Sequence, residues 1–569
     1  MSRDLARSGA STPSATANSS TKSETDIASP TIAHTSNTSA KSEADMASPT
    51  ADSGHNDGDS SEVNDDDDEA HDHDGTLQIQ SSRTESIWAA EHMSLPREIL
   101  FVGICCSAQI ATQAGFLMML MLLHVIGDSF GISNPARLSW AVAGYSLTVG
   151  TFILVSGRLG DTFGHKKVLI VGFLWYALWS LVAGVSVYSN YVLFVFARVL
   201  QGIGPALCLA SALALLGAAY PPGHRKAMVF SLFGASAPFG AVAGAAVGSA
   251  LALAWWPWVF WSSTIVLTLL AATSYLVIPS TLCKPSPPRS ARRLWVELDV
   301  VGTLIGVPAM VLFNFAWNQA PLSGWGTPEV IVTLVLGLAL IFVFFVFEMR
   351  YAEAPLLPFD AINLDVAFVL TVVVLGWATF GIWSLYLIQM SQLIRHNSPT
   401  LTTAWMSPVV VAGLFASLLT GTLLGPLKVT PPVVMSIALS MFMTGAILIA
   451  TLPTTQIYWA QFFVATLVTP FGMDMSFPAA TLIVSNAVKK KHQGVAASLI
   501  NTVVNYGISL GVGFAGTIEV HVNNGGKTEA DLLKGFRGAL YFGIGLSGLG
   551  VVICFIFVAR EYRRKRDKV

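Results

Sequence analysis

G-R-L-G-D-T-F-G-H-K-K, from Gly157 to Lys167, sits between two long apolar runs. Read outward from these residues, the segment is a short charged loop between two membrane-length helices. A loop joining such helices needs only polarity. This one also has three glycines, where helices can approach closely, and one carboxylate, Asp161, among four groups that are or can be cationic. A single acid among bases can carry a switchable ion pair. Gly157, Arg158, Asp161, Gly164 and Lys166 are therefore the candidate gating residues.

The flanking sequence extends the pattern. Hydrophobic residues make up 53% of the 569 and charged residues 12%, about half the ~25% usual in soluble domains. Of the 34 acidic residues, 19 lie at or before Glu98, so a polar tail precedes a hydrophobic body. From 98 to 559 there are fourteen apolar segments, each near the ~20 residues needed to cross a bilayer core. They predict an all-α integral membrane fold with fourteen transmembrane helices. Residues 1–95 are rich in Ser, Thr, Asp and Glu and cannot bury enough surface to offset ordering, which predicts disorder. No apolar run follows Met1, so no cleaved leader is expected. The tail repeats K-S-E-T-D-I-A-S-P-T (22–31) as K-S-E-A-D-M-A-S-P-T (41–50), with Ser29 and Ser48 as Ser-Pro candidates for phosphorylation or as low-complexity drift.

Basic residues set the expected orientation. With the tail cytoplasmic, inner loops and the C-terminus hold 20 Lys and Arg, against five in outer loops. Both termini are then cytoplasmic, and the sequons at Asn18 and Asn37 face the cytoplasm. The plasma membrane is the expected location, a vacuolar membrane the alternative.

An internal repeat predicts a two-part body. At an offset of 268, Gly204-Pro-Ala-Leu-Cys aligns with Gly472-Met-Asp-Met-Ser, and His224 falls on His492. Span 4 is then the counterpart of span 12. The expected organisation is a tail (1–95), a six-helix bundle (98–279), a linker with two inserted helices (280–364), a second six-helix bundle (365–559) and a basic C-terminal tail (560–569). The two bundles are pseudo-symmetric.

The opening motif resembles the G-x-L-a-D-r-x-G-r-[kr] signature between spans 2 and 3 of the major facilitator superfamily of secondary transporters. Trp140 followed by Tyr145 resembles W-x(4)-Y in its fourteen-span drug:proton antiporter branch, and Arg198-x-x-Gln201-Gly202 resembles its R-x-x-Q-G. Gly240, Gly244 and Gly248 stand where antiporters carry a glycine- and proline-rich signature and are expected to pack helices. This chain lacks that signature's proline and one glycine, reading Gly244-Ala-Ala-Val-Gly248-Ser249. The run W-W-P-W-V-F-W (255–261) and G-M-D-M-S-F-P resemble fungal members, including the aminotriazole-resistance and low-affinity ammonium transporter group.

The resemblance implies proton-coupled alternating access, with small organic compounds moved outward. Uptake of ammonium or another small solute, and a sensor built on a transporter body, are the alternatives. Charges within spans are costly and mark function. Arg198 lies about seven residues into span 4, roughly 10 Å deep at 1.5 Å per residue. The resemblance places Arg198 and Gln201 in proton coupling. Asp474 is the one acid near the centre of a span. Removal from water disfavours the ionised carboxyl, which suits a proton-binding group. Pro470, Gly472 and Pro478 around it predict local unwinding. Gln113, Tyr145 and Asn505 are candidate cavity residues. The expected partners are lipid, protons and a small-molecule substrate; a net charge of −2 offers nucleic acid nothing, and the chain is expected to be monomeric. The sequence carries no phosphate-binding G-x(4)-G-K-[ST], metal-ligand cluster or nucleophile cluster. No cofactor, metal or enzymatic activity is expected.

Overall fold

The computed structural model describes residues 89–132, 134–221, 224–279, 290–356, 363–487 and 493–566. The tail repeat, both sequons and His492 lie outside them. Among the described residues fourteen helices are long and apolar enough to cross a membrane. They are α1 (Leu95–Ser129), α2 (Trp140–Phe163), α3 (His165–Tyr188), α4 (Tyr191–Ala219), α5 (Met228–Ala252), α6 (Pro257–Val277) and α7 (Ala291–Ser323). Then follow α8 (Pro328–Arg350), α9 (Leu364–Ile394), α10 (Pro399–Leu424), α11 (Pro431–Ala450), α12 (Gln461–Ser485), α13 (Ser498–Val522) and α14 (Glu529–Arg564).

Their starts are written in local chemistry. Asn190, Ser290, Asn363 and Ser398 each accept a hydrogen bond from the backbone N–H three residues on, satisfying a donor the helix leaves free. Pro257, Pro328, Pro399 and Pro431 open α6, α8, α10 and α11, where the missing N–H costs nothing.

The packing repeats. In the first half α1 packs on α5, α2 on α4, and α3 on α4 and α6. The same partnerships recur eight helices later: α9 on α13, α10 on α12, and α11 on α12 and α14. Two seams join the halves, α2 against α13 and α5 against α10, and the repeat exchanges them. The inserted α7 and α8 pair with each other, and α7 lies against both α2 and α13. On α5 the glycine stripe Gly240, Gly244, Gly248 faces Ile110, Ala114 and Met118 of α1; a methyl at Gly240 would stand 2.7 Å from Ile110 O. The four-residue rhythm on both helices sets one ridge into one groove.

Two expectations are corrected. Gly157 to Phe163 is not loop but the last two turns of α2, and the chain breaks only at Gly164. Helices of this length project past the bilayer core into water, where their polar ends are solvated. Unwinding around Asp474 is not found: the helix is continuous from Gln461 to Ala487 with Pro470 and Pro478 inside it. Neighbouring helices and hydroxyl side chains let membrane helices tolerate prolines in this way.

Candidate functional site

The halves part on the side of the Gly157–Lys167 motif. A cavity of about 460 Å³ opens there, between Gly157, Arg158 and Asp161 of α2, Leu213 and Gly217 of α4, and Phe230 of α5 on one wall. Phe477, Thr481 and Ser485 of α12 and Ser498 and Asn501 of α13 form the other. On the opposite side the halves are tied together. Gln392 Nε2 donates to Met121 O (2.9 Å), and the hydroxyls of Ser249 and Thr403 stand 3.1 Å apart. The structure is therefore open toward the motif and shut away from it.

The motif residues hold the rim of this opening. Gly164 has φ +96°, a conformation that L side chains rarely adopt, and it turns the chain from α2 into α3. The turn delivers Lys166 to the end of α6, where Nζ donates to Tyr275 O (2.8 Å) and Ile278 O (2.6 Å). These carbonyls carry the helix's partial negative charge. Arg158 donates to Pro355 O, in the connection between α8 and α9. Asp161 pairs with His165 across one turn (3.2 Å) while its side chain remains 68% exposed. At Gly157 a methyl would stand 3.3 Å from Ser498 Oγ, so α2 and α13 touch there.

Arg198 is fully buried. The helix axis steps at Gly202, just beyond it. The guanidinium donates from Nε to Ala141 O (3.2 Å), to Gly115 O (3.0 Å) and to Gln201 Oε1. It lies 4.4 Å from the centre of the Tyr145 ring. Gln201 Nε2 continues to Ser180 Oγ (2.6 Å), while the Tyr145 hydroxyl donates to Thr112 O (3.0 Å) and meets Tyr176 at 3.3 Å. All of these partners of the cation are neutral, so its charge is held by carbonyl dipoles and one π-face. Hydrogen bonds to a charged group contribute about 1.5–3 kcal/mol each, and the ring adds about 2 when desolvated. The cluster ties α1, α2, α3 and α4 into one body.

Asp474 lies on the other body, where both halves meet. A methyl on Gly413 of α10 would stand 2.9 Å from its Oδ2 and 2.7 Å from Pro238 of α5. That oxygen is buried and makes no hydrogen bond among the described residues. Asp474, Phe477, Thr481 and Ser485 share one helical face at spacings of three and four, so the carboxyl stands one turn deeper than the cavity-lining Phe477. It does not meet Arg198, whose contacts all lie within the first half.

A sequence profile described as Major Facilitator Superfamily matches residues 103–512 and 396–569. The chain belongs to that superfamily. It is 51% identical over 480 residues to the low affinity ammonium transporter of Saccharomyces cerevisiae, covering 84% of this chain and 91% of the relative. It is 42% identical to efflux pump terG of Aspergillus terreus (86% and 92% covered). It is 35% identical to the aminotriazole resistance protein of Saccharomyces cerevisiae (83% and 85%). Among solved structures, a POT family transporter in complex with a thioalcohol conjugated peptide superposes with a TM-score of 0.59, at 15% identity, covering 81% of this chain and 96% of that one. This likeness carries the fold alone. The protein is thus a multi-pass membrane transporter of the Major Facilitator Superfamily, with efflux pumps and an ammonium transporter among its relatives.

Within this superfamily member, the sequence-derived candidates fall into separate places. Tyr145 is buried in the Arg198 cluster and does not line the cavity. Asn505 donates to Asn501 O (3.0 Å), and it is Asn501 that lines the wall. Gln113 is partly buried on α1 and lies outside the cavity lining. Sequence reasoning missed Ser180 and Tyr176, which look like ordinary small and aromatic residues of a span. It also missed Glu519 on α13, 5% exposed. It lies in the last turn of a helix that runs to Val522.

Proposed function

We propose that this protein is a proton-coupled transporter that exports small organic compounds, xenobiotics or a secondary metabolite, across the plasma membrane. The observation that carries this reading is the unpartnered Asp474 carboxyl oxygen at the α5–α10 seam, one turn above a cavity shared by both halves. A carboxyl there senses two things: protonation and the separation of the halves. The working bodies are the bundles 98–279 and 365–559, rocking about the two seams, and the chain acts as a monomer. The Arg198–Gln201 cluster keeps the first bundle rigid and gives it a fixed positive charge. With 20 basic residues on the motif side against five opposite, both termini and the open cavity face the cytoplasm. Efflux pumps among the relatives support export.

The test is an accumulation and toxicity panel on cells lacking or overexpressing the protein, repeated with Asp474→Asn. Export predicts resistance with lower accumulation, lost in the mutant under an imposed pH gradient. Full pH-driven transport by the mutant would remove Asp474 from the mechanism. Uptake of ammonium is the second reading, favoured by the 51% identity to an ammonium transporter; it predicts greater accumulation instead.

A further inference from the structure

On the far side of the protein from the cavity, Glu519 of α13 is 5% exposed. Among the described residues, its one hydrogen bond with a side chain comes from Tyr386 of α9, whose hydroxyl donates to Oε2 (2.8 Å). Asn318 of α7 and Gln389 of α9 stand with it around one small void, and no basic residue lines that void. Asn318 Oδ1 and Gln389 Oε1 are buried and accept no hydrogen bond among the described residues. The Asn318 amide is fixed in orientation, because its Nδ2 donates to both Asn314 O (3.0 Å) and Asn314 Oδ1 (2.9 Å). The void is about 10 Å³ for the centre of a water-sized particle, enough for about one.

Buried carboxylates are rarely left without a cation, and buried acceptors without a donor are costly. The occupant must meet both needs at once. A protonated Glu519 supplies one O–H for two orphaned acceptors. A water molecule supplies two donors but no charge. An ammonium ion is the size of water, carries a positive charge and has four N–H donors. It can serve Glu519, Asn318 and Gln389 together.

We propose that this pocket binds one small monovalent cation of the ammonium type, at a site separate from the main cavity and from Asp474. The site draws on α7, α9 and α13, so the inserted pair of helices contributes to it.

The experiment uses the full-length protein in lipid nanodiscs, titrated with ammonium chloride or potassium chloride at matched ionic strength and constant pH. Binding is read by calorimetry and by the shift in Tm. Ammonium should bind saturably and at least tenfold more tightly than potassium, which matches it in size but donates nothing. Glu519→Gln should abolish binding. Gln389→Met keeps the volume and the charge while removing one acceptor, and should weaken binding at least tenfold. It decides the matter where Glu519→Gln fails to fold. Potassium binding as tight as ammonium, no saturable ammonium binding, or ammonium binding unchanged in a folded variant would each overturn the assignment.

Discussion

Replacing Asp161 by Asn tests the motif as a latch. In the state described here Asp161 is 68% exposed, and its partner is His165, one turn away on the same rim. It contributes little to holding this state together, since exposed pairs are worth about 0–1 kcal/mol. The latch reading gives it a larger role in the opposite state. The end of α2 already touches α13 at Gly157 and Ser498. If the motif side shuts by drawing these helices together, Asp161 approaches the start of the helix that carries α13, at Gln493, whose free N–H groups carry partial positive charge. A carboxylate there contributes about 0.3–1 kcal/mol when exposed and up to ~2 when partly buried. A change of ~1.4 kcal/mol is tenfold in an equilibrium. Asp161→Asn should therefore raise the ratio of the open to the shut state by about 2- to 30-fold, using the same range. The assay places a cysteine at Thr481, on the cavity wall, in a background without the five native cysteines. Its labelling rate from the motif side should rise with the open fraction, while Lys166 keeps its grip on α6. An unchanged labelling rate together with lost transport would refute the latch and assign Asp161 to folding or insertion.

Further outcomes follow from the same geometry. Arg198→Leu removes every bond of the buried guanidinium and strands Gln201 Oε1; an unsatisfied buried acceptor costs about 1–3 kcal/mol, so Tm in detergent should fall clearly, and a wild-type Tm would show that the cluster is not structural. Gly244→Val drives a branched side chain into Ala114 of α1 and should destabilise the protein by about 1–3 kcal/mol, read as a lower yield of folded protein on size exclusion. Gly164→Ala forces a side chain into φ +96° at about 1–3 kcal/mol, visible as a lower Tm. A tag at residue 1 should resist protease added to intact cells; its removal would reverse the orientation.

The sequence made the scaffold legible because the bilayer restricts backbone so severely. Apolar runs of span length had to be helices. Arg198 was legible for the same reason, since a buried charge stands out against apolar neighbours. Its solvation was not, because carbonyls of Ala141 and Gly115 leave no trace in side-chain pattern. The motif read as loop because its charges resemble loop composition; only the dihedral of Gly164 separates helix from turn. Glu519 escaped because hydropathy ends a span at the first acid, whereas the helix continues for as long as its backbone bonds do. Asp474 was found by depth, but its placement at the α5–α10 seam needed the partners Gly413 and Pro238, neither of them near it in sequence.

The two seams are equivalent by the repeat, yet α7 breaks their equivalence. Its Gln319 accepts from Trp140 Nε1 of α2 (3.1 Å), and its Met310 O accepts from Tyr506 of α13 (3.0 Å). It covers the α2–α13 seam on the outside, with α8 beyond it turning Ile331, Val335 and Phe342 outward. The described residues contain no matching cover over α5 and α10. Any compound arriving sideways from lipid would therefore meet a further helix layer over α2 and α13, and none over α5 and α10 among the described residues. The flank without such a cover is the one where Asp474 lies, beside Gly413 of α10 and Pro238 of α5.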